Sequence, residues 1–450
     1  MTTGVGLRAH VARAAYSLAL RLLQPLYAVR LYWRARVEPL YRRDVAERFG
    51  FYADAPSAGW VWVHAVSLGE TRASAALIAA LRERMPGMRL LLTHGTATGR
   101  EAGAELLRNA SGHRDRQTWL PYDTPGAVAR FLAHFQPAVG VLMETEIWPN
   151  LLHAARQRGV PMVLASARLS EKSLRRGETL AALMRPAAES VALVLAQTDA
   201  DARRLREAGA REVVVCGNLK FDLTPDAALL ARGRAWRAAL GRDVVLGAIT
   251  REGEEALLLA AWRDHVRDAA AGETHARPLL VIVPRHPQRF DEVAALIAAQ
   301  GHTLARRSSW TEAPSESALH ADVWLGDSMR EMPLYYAMAQ LALLGGSFAP
   351  LGGQNLIEAA ACSCPVVMGP HTFNFAQAAE LSIAAGAAAR VETMAQGVEL
   401  ACAWLRDHDA LAARAQRATE FVAQHRGAAQ RMADRIAELR TPSPSGRGQG

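Results

Sequence analysis

The residues best suited to chemistry in this 450-residue chain stand in short clusters. The first is His64-Ala65-Val66-Ser67-Leu68-Gly69-Glu70-Thr71, where an apolar run gives way to a helical pattern. Glu70 falls at the helix start, whose positive dipole end favours an ionised carboxylate. Such a group beside a cleft can take a proton from a hydroxyl. Ser67 and Glu70 also have the spacing of a capping box, so capping and catalysis are equally open on these residues alone. A second cluster, Met143-Glu144-Thr145-Glu146-Ile147-Trp148-Pro149-Asn150, ends another apolar run. In extended chain Glu144 and Glu146 project to one face, one available to substrate and the other, more naturally Glu146, to cap the next helix. Gly217-Asn218-Leu219-Lys220-Phe221-Asp222 carries Lys220, which with Lys172 makes the only lysines among 52 basic residues. A lysine kept in so arginine-rich a chain suggests a compact point charge facing phosphate or carboxylate.

The second half of the chain repeats the pattern with different groups. Pro284-Arg285-His286-Pro287 puts a guanidinium and an imidazole at the end of an apolar run. Asp327-Ser328-Met329-Arg330-Glu331 and Gly345-Gly346-Ser347-Phe348 follow two more. Gly352-Gly353-Gln354-Asn355-Leu356-Ile357-Glu358 opens a helix with bare amides for an anion, and its glutamate can accept both hydroxyls of a ribose. Their convergence on successive strand ends favours a nucleotide site. Neither G-x-x-x-x-G-K-[ST] nor a strand-linked G-x-G-x-x-G is present, which removes the usual markers of triphosphate hydrolysis and dinucleotide redox chemistry. Asp199-Ala200-Asp201 has the form of a metal-binding D-x-D, yet it begins a helix, where acids answer the dipole without a metal.

The elements that must position these groups are those of an α/β protein. Apolar runs of strand length at Trp60–Ala65, Arg89–Thr93, Val139–Met143, Met162–Ser166, Ala192–Ala196 and Val213–Cys216 alternate with helical spacing. The rhythm pauses over 217–242 and restarts at Val244–Ile249, Leu279–Val283, Val323–Leu325, Leu341–Leu344 and Val366–Met368. Two Rossmann-like halves are expected, with ligands beyond the carboxyl ends of the strands and between the halves. Half the residues are hydrophobic and 21% are charged, which excludes a disordered or multi-spanning chain. Cys216, Cys362, Cys364 and Cys402 form no C-x-x-C pair, so neither a disulfide framework nor a zinc ribbon is available.

Charge is concentrated at the start. Residues 1–50 hold nine arginines against three acids, +6 of the chain's +8, interleaved with Leu, Tyr and Trp. The composition suits the anionic face of a bilayer, and equally a basic amphipathic helix packed on its own domain. Its longest uncharged stretch, Leu22 to Val29, is too short to span a membrane.

These blocks together resemble the 3-deoxy-D-manno-oct-2-ulosonic acid (Kdo) transferases of lipopolysaccharide assembly. The likeness runs through WVHAVSLGE (62–70), LPYDTP (120–125), METEIWPN (143–150), ARLSEKS (167–173), GNLKFD (217–222), VPRHPQRF (283–290) and MGPHTFNF (368–375). It implies a GT-B type glycosyltransferase, two Rossmann-like domains facing across a cleft. The expected organisation is a membrane-associating segment (1–50), an acceptor domain (51–217), a linker (218–243), a CMP-sugar-binding domain (244–406), a helical segment (407–440) and a disordered tail (441–450). CMP-Kdo would be the donor and the lipid A precursor, lipid IVA, the acceptor, at the cytoplasmic face of the inner membrane, with inversion, no metal, no cofactor and no nucleic-acid partner. By resemblance Glu70 is the general base, and Glu144 and Lys220 support the transition state. Pro284, Arg285, Met329, Arg330, Glu331, Asn355, Leu356, Ile357 and Glu358 fall on the CMP-contacting blocks. Ile249-Thr250-Arg251 stands where the family often has serine-threonine-histidine, Arg330 where it usually has glycine, and Gln354-Asn355-Leu356 where it has histidine-asparagine-proline. Alternatives are a UDP-sugar transferase or epimerase of the same fold, or a non-catalytic membrane-tethered nucleotide-sugar-binding protein.

Overall fold

The computed structural model describes residues 2–108, 115–269 and 277–440; the expected tail, 441–450, lies outside them. The chain forms two compact units. The first takes the chain to Asp222 and again from Arg426, and the second is Leu223–His425.

In the first unit, seven parallel strands lie in the order β3-β2-β1-β4-β5-β6-β7: β1 Trp60–His64, β2 Arg89–His94, β3 Arg116–Trp119, β4 Pro137–Met143, β5 Met162–Ala167, β6 Leu193–Ala196 and β7 Val213–Val215. All five residues of β1 are buried because helices cover both faces of the sheet, which is why its central strands read as unbroken apolar runs. Val61 and Val63 face one core with Leu90, Leu92 and Val141, while Trp60 and Trp62 face another with Phe131 and Phe135. Gly140 makes room for that indole: a Cβ there would lie 2.8 Å from Trp62 and 2.5 Å from Met162 Sδ.

The last helix, Ala428–Arg440, closes the first of these cores with Met432 and Ile436. Asp222, the final residue of GNLKFD, fixes its start by accepting the amides of Gly427 and Ala429 at 2.5 and 2.6 Å. The segment 218–243, expected as a linker, is itself folded, with a short helical turn at Leu219–Asp222 and a helix at Ala227–Leu240.

The N-terminal helix, Thr2–Arg34, packs on its own unit, one of the two alternatives that its sequence left open. Its inner face docks: Tyr16 donates to Asp123 Oδ2 at 3.0 Å, Ser17 to Asn150 Oδ1 at 3.0 Å, and Tyr27 stacks on Tyr122. Asp123 in turn accepts the amides of Asn150 and Leu151, at the start of the helix that follows the Glu144–Glu146 loop. The outer face carries Leu7, Val11, Leu18, Leu22, Leu26, Val29 and Trp33, all exposed, at spacings of mostly three and four residues that make one apolar stripe. No helix among the described residues is long and apolar enough to cross a membrane.

The second unit has its own seven parallel strands in the order β10-β11-β9-β8-β12-β13-β14: β8 Val244–Thr250, β9 Leu279–Pro284, β10 Leu304–Arg306, β11 Val323–Leu325, β12 Leu341–Leu344, β13 Val366–Met368 and β14 Ala388–Arg390. Each sheet reverses its strand order at one point, between β1 and β4 and between β8 and β12. In such sheets ligands bind beyond the carboxyl ends of the strands at that reversal.

Candidate active site and nucleotide-binding groups

At the first reversal β1 ends in the loop that delivers Glu70. Ser67 caps the helix Leu68–Arg84 by accepting the Glu70 amide. The Glu70 carboxylate reaches back beyond the capping serine, accepting the Val66 amide on Oε2 and the Ser67 hydroxyl on Oε1, both at 2.9 Å. Capping and orientation are thus one arrangement: the cap aims the carboxylate and leaves it half-buried. Burial raises its proton affinity most, and the neighbouring Glu144 charge adds to that. The two hydrogen bonds and Lys220 oppose it. A carboxylate raised towards neutrality is a stronger base than a solvated one while still ionised in use.

β4, the strand across the reversal, ends at Met143, and Glu144 follows with φ +57°. The chain between Glu144 and Glu146 is not extended as expected, because a left-handed residue interrupts the alternation, yet Glu146 still lies within the field of Glu144. A non-glycine residue in that conformation costs on the order of 1 kcal/mol, so its surroundings must hold it. Glu144 donates its amide to Ala165 O at 2.9 Å, and its Oε1 accepts from Lys220 Nζ at 3.3 Å. Lys220 is positioned in turn by its own amide on Asn218 Oδ1. The three residues expected to be catalytic are therefore close enough to act on one another's charge.

Glu146 was weighed on sequence as a helix cap, and it is not one: the helix Pro149–Gln157 has Trp148 at its cap position with no side-chain bond. It belongs to the carboxylate cluster. Burial first, then the charge of Glu70, push its carboxyl up to about 7. An unfolded glutamate titrates near 4.3, so the folded state holds this proton more tightly. The resulting stabilisation is complete below the unfolded value and is lost as pH rises through the folded one. Glu146→Gln mimics the protonated form. Its melting temperature is expected to match the parent's at pH 4 and to exceed it by about 2–8 °C at pH 8, from roughly 1–2 kcal/mol. Calorimetric scans in parallel at every pH would refute the assignment.

The second unit gathers the groups expected to meet the nucleotide. Pro284 ends β9 and Arg285 follows, exposed, its amide on Thr250 O at 2.9 Å. Met329 and Arg330 are exposed after β11, with Arg330 at φ +67°, a conformation that explains why a glycine suits that position. Glu331 is already engaged: its Oε1 accepts from Arg232 and Arg307, each at 2.9 Å. Nothing in the spacing of these two arginines on separate elements foretold that clamp. Asn355 caps the helix Leu356–Ala361 through the Ile357 amide. The side chains of Leu356 and Ile357 are in the core, so only their main chain is offered to a ligand, while Glu358 is half-buried. Asp201 of the D-x-D is spent on capping: its oxygens accept from Thr198 Oγ1, the Leu169 amide and Arg204.

Known proteins are similar to this chain over most of its length. Residues 43–223 match the family described as 3-deoxy-D-manno-octulosonic-acid transferase (kdotransferase). The 3-deoxy-D-manno-octulosonic acid transferase of Bordetella pertussis is 48% identical over 431 residues, 95% of this chain and 99% of that protein. The Haemophilus influenzae protein of the same name is 32% identical over 429 residues, 94% and 97% of the two chains. Among solved structures, a glycosyltransferase from Rickettsia africae aligns with TM-score 0.54 at 13% identity, covering 85% of this chain and 99% of that one. The UDP-GlcNAc 2-epimerase of Neisseria meningitidis aligns with TM-score 0.53 at 16% identity, covering 84% and 98%. The structural likenesses speak for the fold, an α/β fold of the GT-B type. Near-complete coverage at high identity speaks for the chemistry: this chain is a glycosyltransferase and belongs to the 3-deoxy-D-manno-octulosonic acid (Kdo) transferases.

Proposed function

We propose that the chain transfers Kdo from CMP-Kdo to the lipid A precursor lipid IVA, by one inverting displacement that needs no metal or other cofactor, while lying on the anionic cytoplasmic face of the inner membrane. The observation that carries the reading is the Glu70 carboxylate, aimed by Val66 and Ser67 beside the Glu144–Lys220 pair at the reversal of the first sheet. Glu70 takes the proton from an acceptor hydroxyl, whose oxygen attacks the anomeric carbon of Kdo as the bond to the CMP phosphate breaks. A single in-line attack inverts that centre. Lys220, held by Glu144, offers the positive charge that the departing phosphate requires, and Arg285 joins the residues that hold CMP. Pro284, Met329, Arg330 and the main chain at Leu356–Glu358 hold CMP, with Glu331 clamped by its two arginines as a support for that wall. The exposed apolar stripe and its arginines bring the protein to an acceptor that stays in the bilayer.

Incubation of the purified chain with CMP-Kdo and lipid IVA tests the reading. The lipid should gain mass in Kdo increments matched by released CMP, with inverted anomeric configuration by NMR and an unchanged rate in EDTA. No product from CMP-Kdo would sink the function, retention would sink the single displacement, and loss of rate in EDTA would sink metal independence.

A further inference from the structure

The reversal of the second sheet holds a guanidinium that the reading above leaves unused. β8 ends at Thr250, just after Ile249 at φ +56° and a register shift between Ala248 and Thr250, and Arg251 is the next residue out. A Cβ on Gly345 would lie 2.3 Å from the Ile249 carbonyl, so the ends of β8 and β12 touch through bare backbone. Glu254, 1% exposed, locks the two loops together. It accepts the Arg251 amide at 2.9 Å and the amides of Gly346, Phe348 and Ala349 at 2.7, 3.1 and 3.1 Å. Both of its oxygens are therefore spent on backbone. The Arg251 stem passes 3.6 Å from where a Gly346 Cβ would stand.

The cations here fall into two kinds. Arg289 is neutralised, bound at both guanidinium ends by the buried Glu255, at 2.7 and 3.1 Å, and also by Glu292. Arg251 is half-buried, and among the described residues its guanidinium has no ion pair or hydrogen bond. His286 lies within the field of both and of Arg285. Burial, and then those three charges, hold its imidazole below the ordinary range, so it does not compete for an anion.

We propose that Arg251 binds an oxyanion of the donor at the β8/β12 reversal, through the two-pronged geometry that guanidinium shares with phosphate and carboxylate. The anion is either the phosphate of the nucleotide or the carboxylate of the sugar acid. This rests on the donor assignment above.

The test compares Arg251→Ala and Arg251→Lys with the unaltered full chain, using calorimetry with CMP and cytidine and steady-state kinetics with CMP-Kdo. If Arg251 holds the phosphate, Arg251→Ala binds CMP about tenfold more weakly and cytidine unchanged. If it holds the carboxylate, CMP affinity is kept and the KM for CMP-Kdo rises about tenfold. The lysine variant falls between parent and alanine in either case, since charge without the fork recovers part of the contact. CMP affinity and KM both within twofold of the parent would overturn the proposal. Should the unaltered chain neither bind CMP nor consume CMP-Kdo, the functional reading fails and the anion site is decided by inorganic pyrophosphate. A thermal shift present in the parent and absent in Arg251→Ala supports the site, and equal shifts overturn it.

Discussion

Glu70→Gln is expected to lower turnover by about 10²–10⁴-fold while the protein melts within a few degrees of its parent. The substitution is selective because the cap survives it. Glutamine can present its oxygen to the Val66 amide and its NH₂ to Ser67 Oγ, which has a second acceptor position for the residue-70 amide that it already takes. Only basicity is removed. Ser67→Ala supplies the contrast: the carboxylate keeps its charge and the Val66 bond but loses one restraint, so the rate falls far less. Normal turnover in the glutamine variant would leave Glu70 with capping alone.

The second large effect is expected at the bilayer. Replacing Leu22, Leu26 and Trp33, which are 71, 63 and 67% exposed, by serine leaves the docking contacts of Tyr16, Ser17 and Tyr27 intact. Burial of such side chains contributes roughly 1.5–3 kcal/mol each, so binding to anionic vesicles should weaken by more than about 10²-fold at any salt. Replacing the exposed Arg8, Arg21 and Arg30 by glutamine removes about 1 kcal/mol apiece, roughly 10²-fold at low ionic strength. That second difference should close in high salt, as screening predicts. CMP binding should be untouched in both variants. Vesicle co-sedimentation equal to the parent's in both would refute membrane contact through this helix.

The eleven strands expected from apolar runs are all present, and the three that were not foreseen share one property. β3, β10 and β14 each lie at a sheet edge. Their sequences, Arg116-Gln117-Thr118-Trp119, Leu304-Ala305-Arg306 and Ala388-Ala389-Arg390, are short and partly exposed. An edge strand is covered on fewer sides and so needs no unbroken apolar run, which is the signal that revealed the others. The site divides in the same way. Glu70, Glu144 and Lys220 stood out as candidates because each lies in the stretch that follows an apolar run, and the end of a strand is where chemistry collects. Glu146 was undervalued because two residues past a strand look like a cap until backbone twist is known, and the left-handed turn at Glu144 carries no mark in sequence. The clamp on Glu331 joins residues 232, 307 and 331, and Glu254 binds amides more than ninety residues away. Contacts of that range depend on how the strands are ordered, and no local pattern encodes them.

The return of the last helix to the first unit has a consequence for how the chain is made. Met432 and Ile436 complete a core whose other members, Val61, Val63, Leu77 and Leu81, leave the ribosome far earlier. At about 5–20 residues per second, the intervening second unit takes roughly 10–40 s to synthesise. The second unit is contiguous and can fold on emergence. The first unit must wait with that core only partly covered, so its open part is the natural client of a chaperone during translation. Ribosomes stalled before residue 426 should therefore carry a protease-resistant second unit and a first unit still open to cleavage.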